Sequence, residues 1–140
     1  MSDKLFLDTN VLVYLYDSDA PEKQERARAI LERDGATAEI TISTQVLQEF
    51  YVTVARKFAK RLSEEETLLA TRSLCRLSLV QVDVAMIFDA ISLARRHQFS
   101  LWDSLIIQAA LQTGCKTLLT EDLQDGQRIG PLRIENPFKS

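Results

Sequence analysis

Histidine is nearly missing from this chain: His97 is the single imidazole among 140 residues. That scarcity removes RNA cleavage by a histidine pair, and it leaves a zinc centre without its usual nitrogen ligands. His97 itself follows Arg95 and Arg96 near a helix end, where a cation is favoured by the helix dipole. Cysteine is equally sparse. Cys75 and Cys115 stand in no metal-type spacing and read as free, buried thiols of a reducing cytoplasm. No apolar run approaches the ~18 residues of a membrane span. Asp3 and Lys4 are followed by only three apolar residues before Asp8, so no signal peptide is expected. Basic excess is lacking too: 17 Lys and Arg face 20 Asp and Glu, for a net charge of −3. That balance argues against a uniformly basic nucleic-acid binder, though not against a nuclease with its acids gathered in one pocket. No repeat, linker or low-complexity stretch divides the chain, and residues 1–140 read as a single domain.

What is present is an alternation of short apolar strands and amphipathic helices. Lys4–Asp8 reads as a first strand, followed by a short helix over Asn10–Asp17. Pro21 opens a second helix at the favoured first-turn position, and Gly35 is expected to end it. Ala38–Ile42 is a second strand. Thr44–Lys60 is a long helix in which Val46, Leu47, Phe50, Tyr51, Val54, Ala55 and Phe58 form a wide apolar face. Ser63 and Glu66 make a capping box for a helix reaching about Cys75. After a third strand over Leu79–Val82, Asp83 caps a helix whose expected core face is Val84, Ile87, Phe88, Ile91 and Ala94. A helix after Ser100 runs to Gly114, Thr117–Thr120 is a fourth strand, and Pro131–Glu135 is expected as a last edge strand. Such alternation specifies an α/β fold: a central, mostly parallel sheet of four or five strands between two layers of helices.

Parallel sheets gather functional groups beyond the carboxyl ends of their strands. Asp8 ends the first strand and Asp122 follows the fourth. Asp103 lies in the first turn of the helix leading into that fourth strand, and Glu49 in the early turns of the helix after the second. Singly, each acid has an ordinary role: a helix cap, a turn, a dipole partner, a solvated surface group. Together, four acids from four segments reach one rim, where their mutual repulsion calls for cations. Oxygen-only ligands favour a hard ion, Mg²⁺ or Mn²⁺.

The stretches carrying these acids form a recognisable series. Phe6-Leu7-Asp8-Thr9-Asn10, Gln48-Glu49-Phe50-Tyr51, Trp102-Asp103-Ser104-Leu105-Ile106 and Leu119-Thr120-Glu121-Asp122 resemble, in order and spacing, the four motifs of the PIN-domain ribonucleases. The resemblance is nearest to VapC-type toxins of bacterial toxin–antitoxin pairs. It implies a PIN-like three-layer fold and a divalent-metal-dependent endoribonuclease. Such an enzyme would act in the cytoplasm on RNA and inhibit translation, using one or two ions. It also implies a homodimer restrained by a cognate antitoxin. Carried over by position, Asp8, Glu49, Asp103 and Asp122 are the catalytic and metal-binding acids, with Thr9, Asn10 and Thr120 as support. Whether Glu121, Asp122 or Asp125 completes the site stays open, as does whether Glu49 or Asp122 orients the attacking water.

Arg56 and Lys60 share a helical stripe with Glu49 and Thr53 and are candidates to guide an RNA backbone. Tyr14, Tyr16, Phe50, Tyr51 and Phe58 read as core or dimer packing. Two rival functions are weaker. A phosphoacceptor receiver domain would need paired acids after the first strand and a lysine where Thr120-Glu121-Asp122 stands. A catalytically silent interaction module on the same fold would have no use for all four acids.

Overall fold

The computed structural model describes residues 3–139. Its sheet has six strands in the spatial order β3-β2-β1-β4-β6-β5. These are β1 (Asp3–Leu7), β2 (Ala38–Ser43), β3 (Ser78–Val80), β4 (Thr117–Leu119), β5 (Arg128–Ile129) and β6 (Leu132–Glu135). All pairings are parallel except β5 with β6, a hairpin that places Ile129 opposite Leu132. Its turn passes through Gly130 at φ +55°, a conformation that costs glycine nothing. The expected final strand therefore exists but is not the edge. It lies between β4 and the two-residue β5, which raises the strand count above the four or five expected.

Consecutive strand residues point to opposite faces, so burial of both neighbours means that both faces are covered. Phe6 and Leu7 in β1, and Leu118 and Leu119 in β4, are all buried. The helices that flank the sheet are α1 (Thr9–Val13), α2 (Pro21–Ala29), α3 (Thr44–Lys57), α4 (Glu64–Ser73), α5 (Val84–His97) and α6 (Leu101–Gln112). Their starts follow the capping chemistry in the sequence. Ser43, Asp83 and Ser100 each accept the third following backbone N–H, and Ser63 with Glu66 closes a complete capping box. Gly114, at φ +74°, follows α6.

Several expectations give way. Helix α2 does not stop at Gly35; it continues as a π-turn over Ile30–Asp34 and a further turn over Gly35–Thr37. The first helix is shorter than expected and closes as a 3₁₀ turn over Tyr14–Tyr16. Cys115 is buried, whereas Cys75 is exposed at the end of α4. Helix α5 is rolled about its axis relative to the expected core face. Met86, Ala90 and Leu93 are its buried residues, whereas Val84 and Phe88 are 68% and 65% exposed. The stripe Ile87–Ile91–Ala94 lies one residue on, roughly 100° around the helix, and is half-buried. Both stripes are apolar, so the helix seats the smaller, flatter one around Ala90.

This seating has a measurable consequence. In urea unfolding, Met86→Ala is expected to lower stability by about 2–5 kcal/mol, as large-to-small core changes do. Val84→Ala should stay within about 0.5 kcal/mol. A larger loss in Val84→Ala than in Met86→Ala would place the helix in the orientation expected from sequence.

Candidate active site

The chain leaves β1 toward β2 and β3 on one side, while β4, β6 and β5 occupy the other. That reversal makes the carboxyl ends of β1 and β4 the crevice of the sheet. The backbone N–H of Asp8 donates to the carbonyl of Leu119 at 3.0 Å, fixing the two strand ends side by side. A cavity of about 560 Å³ opens there. Asp8, Glu49, Asp103 and Asp122 all line it.

Asp8 is buried, and each of its oxygens is held. Oδ1 accepts the Thr9 backbone N–H at 2.7 Å, and Oδ2 accepts the Thr120 hydroxyl at 2.8 Å. The same hydroxyl accepts the Asn10 side-chain amide at 3.3 Å and the Asp122 backbone N–H at 3.1 Å. Asn10 Nδ2 also reaches Asp122 Oδ2 at 2.9 Å, while Asn10 Oδ1 accepts the Glu121 N–H. Glu49 is held from two directions, by the Thr9 hydroxyl at 2.8 Å and by the Gln45 amide at 3.3 Å. Thr9, Asn10 and Thr120 thus each contact at least one of the acids. Asp103, half-buried, stands in the first turn of α6 with Ser100 capping its backbone.

The three neighbouring acids of the β4 loop separate cleanly. Asp125 turns away: it accepts the Asn136 N–H and pairs with Lys139. Glu121 lines the cavity but is bound by the Tyr14 hydroxyl at 2.6 Å and by Lys23 at 3.0 Å. Among the described residues, the Asp122 side chain is held by Asn10 alone and has no cationic partner. Among the described residues, none of Asp8, Glu49, Asp103 or Asp122 forms a salt bridge.

Burial of so much uncompensated charge is felt at Asp8. Desolvation pushes its carboxyl up to about 6, against the lowering effect of the Thr120 and Thr9 hydrogen bonds. The charges of Asp122 and Glu49 push the same way. A divalent cation in the cavity would reverse that balance. Among the described residues, no three acid, thiol or imidazole side chains stand ready around one ion position.

Other residues of the wall escaped the sequence reading. Gln45, buried, spans from Glu49 to the carbonyl of Trp102 at 3.1 Å and so links α3 to the start of α6. Its amide orientation is fixed, because a flipped group would set its oxygen against two acceptors. The signal available was its position four residues before Glu49, one turn away on the same face. Lys57 also lines the cavity, paired at 3.0 Å with the buried Asp17. Arg56 and Lys60 are exposed, and neither is on the cavity wall.

Residues 5–125 match the PIN domain family. The chain belongs to that family. Comparison with curated protein sequences gives no match. Among solved structures, this PIN domain is similar to a toxin–antitoxin complex from Klebsiella pneumoniae. The two share 20% identity over 97% of this chain and 99% of the other, with a TM-score of 0.70. It is also similar to the DNA-bound VapBC of Salmonella typhimurium, at 21% identity over 96% of this chain and 98% of that one (TM-score 0.64). A third similar structure is the sarcin–ricin-loop-cleaving toxin VapC20 of Mycobacterium tuberculosis. It is 15% identical over 81% of this chain and 86% of its own, with a TM-score of 0.62. At these identities the likeness is one of fold.

The raised Asp8 carboxyl fixes the sign of a pH effect. In metal-free protein, Asp8 is protonated in both states below about pH 4. Between there and about 6 the unfolded chain releases its proton first, so this residue's contribution to stability falls as pH rises, by about 3 kcal/mol in total. The stability of the parent minus that of Asp8→Asn, followed by urea unfolding from pH 4 to pH 7, should fall across that window. A difference that is flat or rising would show that Asp8 is not strained by its burial.

Proposed function

We propose that this PIN domain is a divalent-metal-dependent endoribonuclease, and that it is the toxin of a cytoplasmic toxin–antitoxin pair acting on translation. The observation that carries the reading is the set of four carboxylates around one cavity at the ends of β1 and β4, none in a salt bridge among the described residues. A silent interaction module would bear the cost of the buried Asp8 charge with no return.

Asp8 and Asp103 are the firmest metal ligands in this reading, with Glu49 and Asp122 completing the set for one or two Mg²⁺ or Mn²⁺ ions. Bound there, such ions acidify a water and neutralise charge developing on the phosphate and the leaving oxygen. The chain's own groups perform the rest. Thr120 and the Thr9 N–H aim Asp8 and partly offset the cost of ionising it, because both donate to the charged form. Glu49, held by Thr9 and Gln45, and Asp122, held by Asn10, are each placed to orient or deprotonate the attacking water. Lys57, with its charge at the cavity wall, is the better-placed guide for an RNA phosphate. Arg56 and Lys60 would meet RNA only beyond the cavity.

The partners follow by analogy with the toxin–antitoxin complexes of the same fold. An antitoxin segment that presents an arginine to the uncompensated acids would silence the site. Tyr51, Leu68 and Leu69, exposed on α3 and α4, offer apolar area for a homodimer.

The purified protein is expected to degrade total RNA with Mg²⁺ or Mn²⁺ and to be inert with a chelator. Asp8→Asn should lower the rate by at least about a hundredfold. Added Mg²⁺ should raise the melting temperature of the parent, and raise that of Asp8→Asn less. Cleavage that is equal in parent and variant, or independent of divalent ions, would refute the assignment.

A further inference from the structure

We propose that Phe138 is a positioning residue for the acidic cavity. Packed on Tyr14 and Lys23, it keeps Glu121 from joining the cation's ligands and leaves Asp122 to serve there. The proposal rests on the nuclease reading and adds to it a device that selects between two adjacent acids. Glu121 and Asp122 both line the cavity, so neither is excluded by distance alone.

The restraint on Glu121 is built in two layers. In the first, Tyr14 donates its hydroxyl to Glu121 Oε1 at 2.6 Å, and Lys23 donates to Oε2 at 3.0 Å and to the Tyr14 oxygen at 3.1 Å. Both donors hold their protons more firmly than usual. Burial, then the bond to Glu121, pushes the Tyr14 hydroxyl up, and the bonds to Tyr14 and then Glu121 raise Lys23. In the second layer, Phe138 meets the Tyr14 ring edge to face at 4.9 Å between centres. The Lys23 ammonium stands over both rings, 4.8 Å from the centre of Tyr14 and 5.7 Å from that of Phe138. Lys23 is thereby held against Glu121 by an aromatic corner that Phe138 closes.

The segment carrying Phe138 is itself tied to the same loop. Asp125 accepts the Asn136 N–H at 2.8 Å and pairs with Lys139 at 3.7 Å. Asn136 Oδ1 accepts the Phe138 N–H at 2.9 Å, and Arg26 Nε donates to the Pro137 carbonyl at 3.1 Å. Residues 136–139 therefore bind Asp125 directly and restrain Glu121 through Lys23 and Tyr14. Of the three loop acids, Asp122 alone is left to the cavity. Without Phe138, Lys23 loses one wall and Glu121 gains freedom to turn inward. A fifth carboxylate would raise cation affinity, which follows ligand charge. The acid that orients the water would then no longer be fixed.

The test uses the full chain and begins without metal, with amide hydrogen exchange followed by NMR. In Phe138→Ala, the Glu121 and Asp122 amides should exchange at least threefold faster, while the Asp8 amide bonded to Leu119 keeps its protection. Titrated with Mn²⁺ and followed by electron paramagnetic resonance, this variant should bind at least threefold more tightly than the parent. Its kcat on RNA at saturating Mn²⁺ should fall at least fivefold. Phe138→Tyr should restore all three readouts, and Glu121→Gln added to Phe138→Ala should abolish the gain in Mn²⁺ affinity. If Phe138→Ala does not fold, Lys23→Met releases the same carboxylate and should give the same pattern. Unchanged exchange at Glu121 and Asp122, Mn²⁺ binding that is equal or weaker, or a gain that survives Glu121→Gln would overturn the proposal. A parent that binds no Mn²⁺ and cleaves nothing would remove the nuclease reading. The exchange experiment would then still decide whether Phe138 holds the loop.

Discussion

One hydroxyl joins the parts of this site. Thr120 Oγ1 donates to Asp8 and accepts from Asn10 and from the Asp122 backbone, using its one proton and both lone pairs. It is completely buried at the end of β4, where its own N–H is fixed by the Glu135 carbonyl. The carboxylate at the end of β1, the amide that holds Asp122 and the loop bearing Asp122 all take their positions from it. Replacing the hydroxyl with a methyl would release three partners at once.

Around that joint the protein spends stability on charge. Several acids elsewhere are paired: Asp17 with Lys57, Asp19 with Arg61, Glu121 with Lys23, Asp125 with Lys139. Among the described residues, the four acids of the cavity are not. Side chains that hold them are neutral donors: threonine hydroxyls and the amides of Asn10 and Gln45. Neutral donors orient a carboxylate without cancelling its charge, which leaves the field of the cavity available to a cation from outside. Lysines stand close by, yet each is committed to an acid beyond the four.

Much of this arrangement was legible in the sequence because strand ends and helix starts are marked by local chemistry. Asp8 closes an apolar run. Ser43, Ser63, Asp83 and Ser100 announce their helices, and parallel topology then brings distant strand ends to one edge. The strand count, the roll of α5 and the exposure of Cys75 were not legible, because each depends on tertiary packing. Two apolar stripes of α5 compete, and only the sheet decides between them. The choice among Glu121, Asp122 and Asp125 also needed coordinates, since three acids in five residues look alike until Lys23, Tyr14 and Lys139 claim two of them. Lys57 rather than Arg56 or Lys60 reaches the cavity because the wall of α3 follows a four-residue spacing from Gln45 through Glu49 and Thr53.

The central claim is that these carboxylates hold a divalent cation. Crystals soaked in Mn²⁺ and measured for anomalous scattering test it directly. The account predicts a peak at the ends of β1 and β4, about 2 Å from an oxygen of Asp8, with at least one further oxygen from Asp103, Glu49 or Asp122 in its coordination sphere. A peak found only elsewhere on the molecule, or Lys23 or Lys57 swung into the acids in place of the ion, would contradict it.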